Sequence, residues 1–153
     1  MTSQLPLPVI VTDSREQTPL QFSYPSIKAG LTSGDYSIQG LEDYFTIERK
    51  SLSDLYGSLT SGRDRFSREL HRMKAYSFRR LLVIGSEHEI EQGSSRAKGL
   101  NPKSIIHSLY AIEARGVPVV FSSSPEAAAS LIERWAFWYQ REHLKTAKAL
   151  QGF

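Results

Sequence analysis

Short β-branched runs alternating with stretches of helical periodicity constrain this chain more than any other feature. Val9-Ile10-Val11, residues 79–85 ("RRLLVIG") and residues 117–121 read as buried strands. Residues 36–38 and 44–49 read as two further strands joined by a turn around Gln39-Gly40. Between them, Phe66, Leu70 and Met73 recur at i, i+4, i+7 and give one apolar helical stripe. Ser51 can cap a helix that runs toward Thr60, where Ser61-Gly62 interrupts it. Pro102 suits the first turn of a helix ending near Gly116, and Pro125 opens a long last helix carrying Leu131, Trp135 and Trp138. Strands that alternate with helices after a hairpin-like start predict an α/β sandwich with a mixed central sheet flanked by helices.

The 153 residues match one domain, expected over residues 9–150 after a flexible N-terminal tail at 1–8. Residues 14–34 are loop-like, with prolines at 19 and 25 and glycines at 30 and 34, and residues 93–101 ("GSSRAKGLN") read as a mobile basic loop. Hydrophobic residues make up 40% and charged residues 23%, as in a soluble globular protein. No apolar run approaches the roughly 18 residues of a membrane span, and no signal-peptide pattern opens the chain. With no cysteine, disulfides, thiolate catalysis and thiolate zinc sites are excluded, and an intracellular setting is expected.

The net charge of +3 is unevenly spread. Arg63, Arg65, Arg68, Arg72, Lys74, Arg79 and Arg80 face only Asp64 and Glu69 within eighteen residues, a cluster suited to a polyanion such as nucleic acid. Arg65, Arg68 and Arg72 lie at i, i+3, i+7, beside the apolar stripe, where guanidinium groups can meet phosphates.

The segment "IERKSLSD" at residues 47–54 holds the densest chemistry. Side chains alternate along a strand, so Phe45 and Ile47 face a core with Arg49 at its rim, while Glu48 and Lys50 face a cleft or solvent. With Asp35 from the preceding strand, Glu48 can hold a hard divalent cation through oxygens, and Asp13 can supply a third carboxylate. Lys50 beside such a cation can orient water or stabilise charge building on phosphate. Singly, each acid also has an ordinary use: Asp54 stands three residues after Ser51, as in a helix cap, and Asp35 follows Gly34, as in a turn. Arg49, buried at a rim, needs a carboxylate partner, either Glu16 or Asp54.

Taken in order, Gly34-Asp35, Glu48-Arg49-Lys50 and Asp54 reproduce the pattern GD-x(n)-ERK-x(3)-D, and "VTDSRE" at residues 11–16 and Gly62-Arg63 extend it. This resembles the nuclease domain of the XPF family of structure-specific DNA endonucleases. The resemblance implies a restriction-endonuclease-like core that cuts DNA phosphodiesters with Mg²⁺ or Mn²⁺. It makes Asp13, Asp35 and Glu48 the metal-site acids and Lys50 the catalytic lysine. Arg15, Glu16, Arg49 and Asp54 fall at motif positions and are expected to support them, and Arg63, Arg65, Arg68 and Arg72 to hold DNA. It also implies action on branched DNA in repair, recombination or replication.

Two departures bear on that reading. Family members commonly carry a tandem helix-hairpin-helix domain after the nuclease, which this sequence lacks, and "RDRFSREL" stands where a glutamine often follows the GR segment. The alternative is a catalytically inactive DNA-binding subunit or adaptor. A homodimer is expected, because Trp135, Phe137, Trp138 and Tyr139 crowd one helix and cannot all face a single core. "QLPLP" at residues 4–8 faintly resembles peptides that dock sliding clamps, although a polar, proline-containing tail reads it as well.

Overall fold

The computed structural model describes residues 6–152. Its strands are β1 (Ile10–Asp13), β2 (Ser26–Ala29), β3 (Tyr36–Ile38), β4 (Phe45–Ser51), β5 (Phe78–Ile84) and β6 (Val119–Ser122). Among the described residues they form one mixed sheet in the order β2-β1-β3-β4-β5-β6. β1 runs parallel to β2 and antiparallel to β3, and β3 runs antiparallel to β4. β4, β5 and β6 are mutually parallel. Parallel neighbours require crossovers. α1 (Leu52–Leu59) and α2 (Arg63–Met73) join β4 to β5, and α5 (Pro102–Ala114) joins β5 to β6 after the short turns α3 (Glu87–Glu89) and α4 (Ser95–Ala97). The long α6 (Pro125–Gln151) follows.

The two-residue period of a strand sorts the core into two layers. Leu81 and Val83 of β5 pack with Leu55, Phe66, Met73 and Leu109 from α1, α2 and α5. Leu82, between them, packs with Ile132 and Ala136 of α6 on the opposite face. β4 obeys the same alternation: Phe45 and Ile47 enter the α6 layer, which turns Thr46, Glu48 and Lys50 toward α1 and α2. The expected mixed sheet between helical layers is what forms.

Three elements differ from the sequence reading. β2 falls inside the stretch read as loop; it is an edge strand with three of its four residues exposed, so it carries no apolar alternation to detect. Residues 93–101 are not an open loop throughout: a π-helical stretch Ile90–Ser94 and α4 occupy their first half. Buried Ile90 and Ser95 hold that segment down, and the Ser95 hydroxyl donates to the Ile90 carbonyl at 2.7 Å. Of the tail, residues 1–5, including Gln4 and Leu5 of the clamp-like peptide, lie outside the described residues, whereas Pro8 is buried and the Pro6 carbonyl accepts from Gln140 at 2.9 Å.

The aromatic crowding on α6 is divided. Trp135 and Tyr139 pack on Phe78, which stacks on Phe45 at 4.7 Å between ring centroids. The Arg80 guanidinium lies 3.9 Å over the Phe78 ring and also meets Trp135. Trp138 is left 57% exposed. One turn earlier, buried Glu133 accepts from the Ser23 hydroxyl at 3.0 Å and the Tyr24 N–H at 2.7 Å, tying the loop between β1 and β2 to α6.

Candidate active site

The site begins where β1, β3 and β4 meet. The Asp35 N–H donates to the Ile47 carbonyl and the Asp13 N–H to the Asp35 carbonyl, both at 2.8 Å. The Arg49 N–H donates to the Asp35 carboxylate at 2.8 Å, so the backbone of β4 itself aims that side chain. This close approach needs Gly34, whose φ is +76°. A Cβ there would collide with Thr46 Oγ1 at 2.1 Å and crowd the Ile47 carbonyl oxygen at 3.0 Å.

Glu48 and Lys50 leave β4 on its α2-facing side, with Lys50 Nζ 3.5 Å from the Glu48 carboxylate and 5.2 Å from the Phe66 ring centroid. Asp13, Asp35 and Glu48 line one cleft of about 240 Å³, together with Arg65, Glu69 and Arg72 of α2. A second trough of about 430 Å³ continues past Glu48 along Lys50, Ser53, Asp54 and Ser61. Glu48, Arg65 and Glu69 belong to both, so the two form one groove that straddles Glu48.

The acids differ in how free they are. Asp13 is buried, and its carboxylate accepts from Arg15 Nε at 2.9 Å and from the Leu31 N–H at 2.9 Å. Arg15 also donates to the Leu31 carbonyl at 2.8 Å, closing a small ring that fixes the end of β1. Asp35 and Glu48 are less fully satisfied: Asp35 accepts the Arg49 N–H, and Glu48 pairs with Lys50 at 3.5 Å. Burial, and then the charge of Glu48, push the Asp35 carboxyl up to about 8. Burial likewise raises Glu48 to about 7, with Lys50 opposing and Glu69 adding to the rise. Removing two neighbouring carboxylates from water without a full countercharge is what holds their protons on.

A hard divalent cation is what such a donor set lacks. Asp35 and Glu48 fit one, offering oxygens in a half-buried cleft where a positive charge would relieve both burial and repulsion. The expected trio is less complete than its spacing implied. Among the described residues no three acids or histidines gather as a metal-binding group, and the Asp13 oxygens are engaged by Arg15 and Leu31.

The supporting residues separate in the same way. Arg49 Nη2 donates to Glu16 at 3.0 Å and to the Thr18 carbonyl at 2.7 Å, choosing Glu16 over Asp54. The Tyr36 hydroxyl donates to Glu16 at 3.2 Å and accepts from the Leu20 N–H at 2.9 Å. Asp54 gives its N–H to the Ser51 hydroxyl, the ordinary helix cap, while its side chain borders the trough. Of the four arginines, Arg65 and Arg72 line the cleft beside Glu48. Arg63 turns to the other side of α2, and exposed Arg68 lines neither part of the groove. Glu69 was not singled out by sequence reasoning. Its signal was positional: three residues after Phe66 and four before Met73, it borders the apolar stripe and is drawn toward the sheet.

A family model described as the ERCC4 domain matches residues 4–134. Among solved structures, XPF from Aeropyrum pernix superposes with a TM-score of 0.69 at 25% identity, covering 84% of this chain and 60% of that one. The same protein in complex with DNA gives a TM-score of 0.69 at 22% identity, covering 88% of this chain and 66% of that one. This chain thus spans about 60% of the length of the first of these. No curated protein sequence matches it.

The raised carboxyls give a sign-definite pH dependence. Ordinary carboxyls lose their protons near pH 4, whereas here they persist toward about 8 and about 7. The folded state therefore binds more protons than the unfolded state across that window, and stability falls as pH rises through it. In EDTA the melting temperature is expected to drop between pH 5 and pH 8, and the double variant Asp35→Asn/Glu48→Gln to flatten that drop. An unchanged slope in the double variant contradicts the assignment.

Proposed function

This chain belongs to the ERCC4 domain family, and from that premise we propose that it is a DNA endonuclease that hydrolyses phosphodiester bonds with Mg²⁺ or Mn²⁺. The observation that carries the reading is the raised Asp35–Glu48 pair with Lys50 at 3.5 Å from Glu48, opening into a groove edged by arginines. The A. pernix protein that this chain resembles in fold is known in complex with DNA, which supports DNA as the polymer in the groove.

Asp35 and Glu48 would hold the cation, and the Arg49 N–H fixes the Asp35 carboxylate in the cleft. A divalent cation bound there lowers the pKa of its water and neutralises phosphate oxygens. Lys50, beside Glu48, faces the same groove and stabilises negative charge growing on the scissile phosphate. Asp13 and Arg15 hold the wall formed by the end of β1, and the Arg49–Glu16 pair braces the strand that carries Glu48 and Lys50. Arg65 and Arg72 grip the backbone on either side of the cut. Branched DNA of repair, recombination or replication is the substrate class we favour, and a panel of flaps, forks, four-way junctions and plain duplexes tests it.

We also propose a homodimer through α6. Trp138 is left exposed on it while Trp135 and Tyr139 pack inward, and a second copy would cover that ring. Light scattering at tens of micromolar is expected to give twice the monomer mass, and Trp138→Glu to return it to monomer. A wild-type monomer with and without DNA contradicts this.

Catalysis is tested by nicking of supercoiled plasmid in Mg²⁺. Glu48→Gln and Lys50→Ala should each lower the rate by about a hundredfold or more, with the fold intact by circular dichroism. Parent-level cutting by Glu48→Gln would refute the site, whereas no cutting by the parent chain would leave the inactive DNA-binding subunit as the reading.

Holding is separable from cutting. Arg65→Gln/Arg72→Gln should weaken duplex binding and flatten the slope of log affinity against log salt by about 0.9 per lost contact. Arg68→Gln, away from the groove, should change that slope less. Equal effects at all three positions place the DNA path outside the groove.

A further inference from the structure

A separate hollow is more enclosed than the groove at Glu48. It lies between α2 and α5, with a volume of about 110 Å³. Its floor is apolar: Leu59, Phe66, Leu70, Ile112 and Val117. Its ionisable lining is wholly basic, with Arg63, His71, Lys74 and Arg115 and no carboxylate. Arg63 donates to the Leu59 carbonyl at 3.1 Å. Among the described residues, Lys74, His71 and Arg115 make no ion pair, although each is exposed and free to find one. Like charges gathered around an apolar hollow repel one another and gain from a bound anion.

We propose that this hollow is a docking site for an acidic peptide segment of a partner protein, anchored by one branched aliphatic side chain. An engineered apolar cavity of about 150 Å³ admits benzene, so about 110 Å³ suits a leucine-sized group. Burying that group supplies the affinity, while carboxylates flanking it meet the basic rim. Nucleic acid fits less well. A base entering the hollow would set its polar edge against an aliphatic and aromatic floor, with the Ser67 and Ser108 hydroxyls and the basic rim as its polar partners. The site goes beyond the proposed nuclease reading but adjoins it: Phe66 lines both the hollow and the groove, with its ring 5.2 Å from Lys50 Nζ.

The test uses the full chain and a fluorescein-labelled pentapeptide, Asp-Glu-Leu-Asp-Glu, followed by anisotropy; no cleavage is required. Saturable binding is expected, and replacing the leucine by glycine should weaken it about tenfold or more, the cost of leaving that side chain in water. Arg115→Glu, at an exposed residue outside the basic cluster of residues 63–80, should weaken peptide binding about tenfold or more while plasmid nicking and duplex affinity hold. Ser108→Trp, which fills the hollow, should act likewise on the peptide, and a leucine-independent affinity or a failure of wild type to bind overturns the proposal. If Arg115→Glu weakens duplex binding as much as peptide binding, the rim belongs to the DNA path and the docking site is refuted.

Discussion

Asp35, immediately before β3, and Glu48 on the neighbouring β4 are held too closely for either carboxylate to escape the other. The register Tyr36↔Ile47 and the bonds from Asp35 N–H to Ile47 and from Arg49 N–H to Asp35 leave little freedom in that placement. Gly34 makes it sterically possible, because a side chain there would collide with Thr46 and Ile47. The result is a pair of acids that the fold makes harder to ionise. Stability is spent on a local arrangement that nothing in core packing requires, which is what a functional site looks like energetically.

Around that pair the chain places bracing rather than neutralisation. Arg49 would cancel charge most directly if it reached into the cleft, yet it points to the opposite side of β4, to Glu16 and Thr18. There it clips the β1–β2 loop onto the strand pair, with Tyr36 joining Glu16 to Leu20. Glu133 ties the far end of the same loop to α6. A half-buried ion pair of this kind adds little net free energy, and losing one partner strands the other. Its use here is positional: β4 can neither twist nor slide without breaking it.

Much of this was legible in the sequence. Alternation along β4 assigned Glu48 and Lys50 to the face opposite Phe45 and Ile47, and the structure has them there. The need of Arg49 for a carboxylate followed from its place at the rim, but the choice of Glu16 over Asp54 depended on a loop whose path no periodicity encodes. β2 was hidden for a related reason, as an exposed edge strand has no apolar rhythm. Asp13 shows the reverse limit. Its position at a strand end was readable, whereas its engagement by Arg15 and the Leu31 N–H was a matter of loop closure across eighteen residues. Glu69 was visible only as one acid in a basic run, because proximity to Glu48 arises from how α2 lies on the sheet.

The same lie of α2 explains how an acid-centred groove can accept a polyanion at all. Asp35, Glu48 and Glu69 alone would repel phosphate, and Lys50 offsets only part of that charge. Arg65 and Arg72 stand about two turns apart on the groove side of the helix, bracketing Glu69. Arg65 pairs with Glu69 at 3.5 Å yet keeps most of its side chain in solvent, so its pairing is weak and exchangeable for a phosphate. A basic rim around an acidic centre therefore sorts the two ions by depth. In the proposed reading, phosphates would be attracted at the edge and the deepest oxygens left to a small cation. Hydrophobic anchoring by Phe66, Leu70 and Met73 is what keeps that order, since rotating α2 by a third of a turn would bury its arginines and expose its apolar row.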